Sequence, residues 1–204
     1  MVMRGYYKAG DCVFWISRQL HCDTDSFEHL GGAYARDKAQ GFYAGYPKAK
    51  MDAASLCYLG GYFAKDKHHI YYEGTAMPKV DRDSACYLGE DLLRDKTQVF
   101  CRRRLLPGAD PETIVALDCY HSRDASQAFF VNKVIKDAHL ASFTPLGDGL
   151  QLFARDQDRV YYQGRPIKGA DPNTFESLGG TLARCQNGYY DAGKAIPALA
   201  AGGQ

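Results

Sequence analysis

Three sets of residues in this chain have types and spacings that could do chemistry. His21-Cys22, and Cys119 with His121, put a thiol near an imidazole in sequence. Such a pair is a nucleophile with its base if the two side chains meet in space. No CxxC spacing or nucleophile elbow accompanies either pair, so the motif is thin. Asp23-Thr24-Asp25, Asp81-Arg82-Asp83 and Asp156-Gln157-Asp158 are acidic pairs that could suggest Ca²⁺. Calcium takes about six to eight oxygens, and the Gly and Glu spacing of an EF-hand loop is missing. Arg102-Arg103-Arg104 is the one dense charge run, fit for an acidic protein or a phosphate. Neither GxxxxGK[ST] nor GxGxxG occurs. The sequence therefore predicts no enzyme, no metal site and no cofactor.

The elements that would position these residues are repeats. Taking an Asp as anchor, copies fall at Asp37, Asp66, Asp95, Asp124 and Asp156, with Cys185 in the sixth place; the spacings are 29, 29, 29, 32 and 29 residues. The residue before the anchor is basic every time: Arg36, Lys65, Arg94, Arg123, Arg155 and Arg184. Five residues after it comes an aromatic pair or its remnant: Phe42-Tyr43, Tyr71-Tyr72, Phe100-Cys101, Phe129-Phe130 and Tyr161-Tyr162; Tyr189-Tyr190 arrives one residue early. Leu30, Leu59, Leu88, Leu117, Leu146 and Leu178 precede the anchors, and Gly147-Asp148-Gly149 is the insertion that lengthens the fifth copy. Self-similarity at such a period is the signature of a repeat architecture.

Each unit is expected to open with a one-turn helical connector. Asp110-Pro111 and Asp171-Pro172 read as an N-cap followed by Pro at the first helical position. Phe27, Leu56, Ala85, Ile114, Phe143 and Phe175 should point from it into the core. Two short strands follow. The anchor Asp turns the chain between them by accepting backbone N–H groups. Alternation sets Phe63 against one face and Ala64 against the other, where a small residue implies a close neighbour. Gly45, Gly74, Gly164 and Gly193 end the second strand in a turn that wants positive φ; Asn132 should do the same, and Arg103 should force a different geometry. Residues 3–20 look like a half repeat that caps the array, with Trp15 as a core plug, and residues 197–204 have the composition of a frayed tail.

The fold expected is all-β, with six tandem β-hairpin repeats over residues 23–196 and one domain over 1–196. The hairpins would stack into an elongated, curved array, and a closed propeller-like ring is the alternative. The formal net charge is +1, from 25 basic and 24 acidic residues, which argues against a nucleic-acid binder. No apolar run is long enough for a signal peptide core or a membrane span. The seven cysteines are odd in number and are read as reduced. A cytoplasmic location follows, or a periplasmic one if a leader has been removed.

Asp66-Lys67-His68-His69-Ile70-Tyr71-Tyr72 and Asp156-Gln157-Asp158-Arg159-Val160-Tyr161-Tyr162 resemble the core of the DKNYY family. The resemblance implies a bacterial protein of a family whose function is largely unknown. It also implies a possible link to immunity proteins, since some members look like protective partners of secreted interbacterial toxins. It supplies no catalytic residues. The function expected is thus a non-enzymatic protein-binding repeat module that binds and occludes a cognate toxin. A structural, envelope-associated repeat protein binding glycans is the alternative, and a Cys-dependent enzyme is a third. Asp37, Asp66, Asp95, Asp124, Asp156, Tyr71, Tyr72, Tyr161 and Tyr162 are read as structural anchors, because recurrence marks scaffold. Partner contacts are sought where repeats differ: Arg102, Arg103, Arg104, His121, His68, His69, Gly147, Asp148 and Gly149.

Overall fold

A computed structural model describes residues 5–147 and 152–197. Among them lie seven antiparallel sheets, each with its strands in chain order. The first has three strands, Tyr6–Ala9, Cys12–Trp15 and Arg18–Gln19, and is the half repeat at the N-terminal end. Every full repeat makes a four-stranded meander. The second repeat shows the plan, with Cys57–Gly60, Phe63–Lys65, Ile70–Tyr72 and Thr75–Ala76. The expected hairpin is the centre of each meander, in the register Lys65 to Ile70 and Phe63 to Tyr72. A short strand is added on each side. The outer strands have two to four residues, too few to show an alternating pattern in sequence.

The connectors are single turns, and no helix occurs among the described residues. The Asp52 carboxylate accepts the Ser55 N–H (3.1 Å) and hydroxyl (2.7 Å), which ends the turn as soon as it forms. Leu56, Ile114, Phe143 and Phe175 are buried on these turns, while Phe27 and Ala85 are half-buried.

The chain divides into two compact units, residues 1–103 and 104–204. Within the first, the inner strands are buried on both faces. Ala35 packs with Val13 of the half repeat, and Ala64 packs with Tyr34 and Met51 of the repeat before it. Phe63 packs on its other side with Leu93 and Phe100 of the repeat after it. Alternation thus gives each neighbour one face, and burying a Phe contributes about 1.5–3 kcal/mol. In the second unit Ala154 packs with Ala128 and Phe143, and Phe153 with Phe175 and Tyr190. Trp15 is half-buried, 4.6 Å from the Tyr6 ring.

At the turn after the third strand, Glu73-Gly74 and Gln163-Gly164 both have positive φ, at 48°, 68°, 48° and 74°. A Cβ on Gly74 would sit 2.7 Å from the Tyr43 Cβ, so Gly is required by space as well. The Asn132 expectation is corrected: Val131 takes positive φ (55°) and Asn132 does not. Arg102 likewise takes the positive φ (58°) in the Arg103 turn, which differs from the x-Gly turns as anticipated. All seven cysteines are unpaired.

Candidate functional site

The recurring anchor carboxylates and connector hydroxyls are spent on the scaffold. Asp37, Asp66, Asp95, Asp124 and Asp156 are 2–4 % exposed. In each, Oδ1 accepts the N–H groups two and three residues on, at 2.6–2.9 Å. Oδ2 accepts an N–H of the preceding connector, from Asp23, Asp52, Asp81, Asp110 or His139, at 2.8–3.0 Å. The anchor therefore closes its own turn and ties it to the turn below. The connector returns the bond: the Ser26, Ser55, Ser84, Thr113, Ser142 and Thr174 hydroxyls accept the N–H of the residue after each anchor. This hydroxyl slot was not singled out from the sequence. The Tyr71 and Tyr161 hydroxyls each donate to the anchor Oδ2 at 2.7 Å. Burial alone would raise the Asp66 carboxyl. The N–H groups of Asp52, His68 and His69 and the Tyr71 hydroxyl outweigh it and hold the group below its ordinary range. Lys38, Lys67 and Lys96 pair with Asp23, Asp52 and Asp81 at 2.5, 2.8 and 2.7 Å and hold those carboxyls at about 2.

In three copies the basic residue before the anchor is also used internally. Arg36 meets Glu28 at 2.8 Å and donates to the Leu56 carbonyl at 3.2 Å. Arg155 donates to the Pro172 carbonyl at 2.8 Å, and Arg184 pairs with Glu176 at 2.8 Å.

The positions where repeats differ fall into three groups. The first is buried and does not offer a contact surface. His121 is 1 % exposed, so the expectation that it touches a partner is corrected. It fills the slot of Phe63 and Phe153; its Nδ1 lies 3.0 Å from Asp118 Oδ2, and its Nε2 has no hydrogen-bond partner. Burial pushes Asp118 up, but the His121 ring and the N–H groups of Tyr120 and His121 bring it below its usual value.

The second group is at least partly exposed but tied. Arg102 pairs with Asp91 at 3.1 Å. His68 is exposed and His69 half-buried, and both N–H groups belong to Asp66. Gly147 follows the first strand of its repeat, Thr144–Leu146, beside Ser177, while Asp148 and Gly149 lie outside the described residues. Cys185 stands in the anchor slot: its sulfur accepts the Asn187 N–H (3.4 Å) and the Asp171 N–H (3.5 Å), longer than the carboxylate makes them.

The third group faces outward. Arg103 is exposed at its turn, and Arg104 lies in a groove of about 630 Å³ in the second unit. Nine residues after successive anchors stand Arg104, Lys133, Arg165 and Lys194, and all four line this groove. All four are exposed, and none forms an ion pair among the described residues. Asn132, Gln163, Phe130, Tyr162 and Ile167 also line it, and no described lining residue is acidic. Sequence reasoning found Arg104 and missed the other three. The same count from the anchor would have found them.

The pattern that defines the DKNYY family matches residues 29–104 and, in an overlapping second alignment, 63–194. The chain belongs to the DKNYY family. No curated protein and no solved structure matches it. The matched span includes all six anchor slots, Cys185 among them. The name of the DKNYY unit therefore describes its turn chemistry: the Asp ties two turns together, and the first Tyr reaches back to it. Three of the four cations of the groove lie inside the match, at slots the name does not mention, and Lys194 ends it. Among the described residues, no group of three or more His, Cys, Asp or Glu side chains could hold a metal ion.

Proposed function

We propose that this DKNYY protein works by binding another protein and not by catalysis. The observation that carries the reading is the contrast between its polar groups. The recurring anchor carboxylates and connector hydroxyls are satisfied inside the scaffold, whereas Arg104, Lys133, Arg165 and Lys194 face outward at a partly apolar groove without an ion-pair partner among the described residues. Arg and aromatic residues around a groove are the usual anchors of protein interfaces. The more specific reading is an immunity protein that covers the active site of a toxin encoded beside it; that step rests on the family resemblance. The test is co-expression of the full chain with the neighbouring gene product in a toxin-sensitive host. Protection together with a stoichiometric complex supports the reading. Absence of both, with the chain folded and abundant, overturns it.

A further inference from the structure

We infer that the groove of the second unit is a docking surface for an extended, acidic polypeptide segment of the partner. This rests on the protein-binding reading and names the chemistry that the groove takes. The four cations occupy one slot of four successive repeats, and each sits on the last strand of its sheet: Arg104–Leu105, Lys133–Ile135, Arg165–Pro166 and Lys194–Ile196. A chain crossing the repeats would meet one positive charge per repeat, with the amides of Asn132 and Gln163 in the same groove to bond its backbone. Phe130, Tyr162 and Ile167 also line the groove, so its wall is partly apolar.

Edge strands are often guarded by Lys and Pro against pairing with other chains, and that is the competing explanation for these residues. Edge protection accounts for a charge of either sign. It does not account for four charges of one sign with no acidic side chain among the described residues that line the groove. Nor does it hold in the first unit, where the same slot carries Tyr46 and Thr75, both exposed and uncharged.

A nucleic acid is the weaker occupant. Single strands are held on exposed aromatic faces inside a broadly positive surface. Here Phe130 and Tyr162 are covered by the turns of the following repeats. A Cβ on Gly164 would sit 2.8 Å from the Phe130 Cβ, and one on Gly193 2.8 Å from the Tyr162 Cβ. The whole chain carries a formal charge of only +1, so its attraction is local to the groove.

The experiment measures binding of a fluorescent glutamate-rich oligopeptide to the full chain at low and physiological salt. A single-stranded oligothymidylate and a heparin oligosaccharide serve as competing probes. The Lys133→Glu/Arg165→Glu double variant is compared with Lys50→Glu/Lys79→Glu, the same charge change in the first unit. All four side chains are exposed, so melting temperatures check that folding is kept. The expected result is peptide binding that the groove variant weakens by about tenfold or more and the control variant leaves unchanged, with steep salt dependence. No peptide binding, or equal loss in both variants, overturns the inference. So does tighter binding of the oligothymidylate or heparin that the groove variant abolishes. Protection in the co-expression assay separates the two levels. If the groove variant still protects, the docking surface is wrong and the binding module stands. If the unaltered chain never protects while the peptide binds the groove, the toxin reading fails and the groove stands.

Discussion

In the repeat anchored by Asp66, the residue nine positions on is Thr75; in the repeat anchored by Asp156, it is Arg165. The anchor turns of the two are superimposable in their bonding. Asp66 and Asp156 each accept two N–H groups of their own turn, one from the connector and a Tyr hydroxyl. The edges share nothing but their position. A residue that closes a buried network is repeated, because every unit needs it. A residue on an exposed edge is free to differ, and it differs as a block between the first unit and the second. The residues that close the buried network and those that stay exposed at the sheet edge are thus written at different offsets of one repeat.

The largest effect that would test this division is at the anchor. Asp66→Ala leaves three backbone N–H groups without their acceptor in a buried site and leaves the Tyr71 hydroxyl only the Lys50 carbonyl. It should cost about 3 kcal/mol, read as a lowered denaturation midpoint. Hydrogen exchange should localise the loss to the amides of Asp52, His68 and His69, since repeat arrays feel a change mainly at nearest neighbours. An unchanged midpoint would place the anchor among the surface residues.

Acid is the second test. The Asp66, Asp95, Asp124 and Asp156 carboxyls lie below their unfolded values, and Asp23, Asp52 and Asp81 lie at about 2. Depressed carboxyls contribute stability that is fully present above the unfolded value near pH ~4 and is lost as pH falls through the folded values. The midpoint measured against pH should be flat from 7 to about 4.5 and fall steeply below about 4. A decline starting near pH 6.5 would instead point to histidine.

The fold was legible where spacing carried it. The anchors, the Leu steps and the x-Gly turns all recur, so their register could be counted. The outer strands were not legible, because two residues such as Thr75–Ala76 show no period. The candidate contacts divided by burial, which sequence cannot measure. His121 looked exposed because it broke the motif, yet it breaks it together with Asp118. Asp118 stands where Gly31, Gly60, Gly89 and Gly179 stand in other repeats, and the two substitutions meet at 3.0 Å. Paired departures inside one repeat signal a core exchange. The four departures of the groove repeat one another across units and signal a surface.

That distinction gives the third test. His121→Phe restores the side chain of Phe63 and Phe153 but leaves the Asp118 carboxylate, half its bonds gone, at a buried site. Asp118→Gly leaves both ring nitrogens without partners. Each single change should cost more than the double, with a coupling of about 1.5 kcal/mol in a double-mutant cycle. Additive costs would mean that the two residues do not act as a pair. A smaller gain is expected at the sixth anchor. Cys185→Asp replaces a sulfur that accepts at 3.4 and 3.5 Å with an oxygen of the kind found in the other five slots. It should stabilise by about 1 kcal/mol.

The smallest expected effect is the one that separates the two meanings of the edge cations. Thr75→Arg places a cation in the first unit at the slot that Arg165 fills in the second. Thr75 is exposed, so the denaturation midpoint should move by no more than about 0.5 kcal/mol. If the cations exist to guard edges, the added charge should also raise the temperature at which light scattering first reports aggregation. If they exist to hold an acidic segment, aggregation onset stays where it was, and removing Lys133 and Arg165 changes ligand binding without changing aggregation. The edge carrying Thr75 already manages without a charge, and that favours the second outcome.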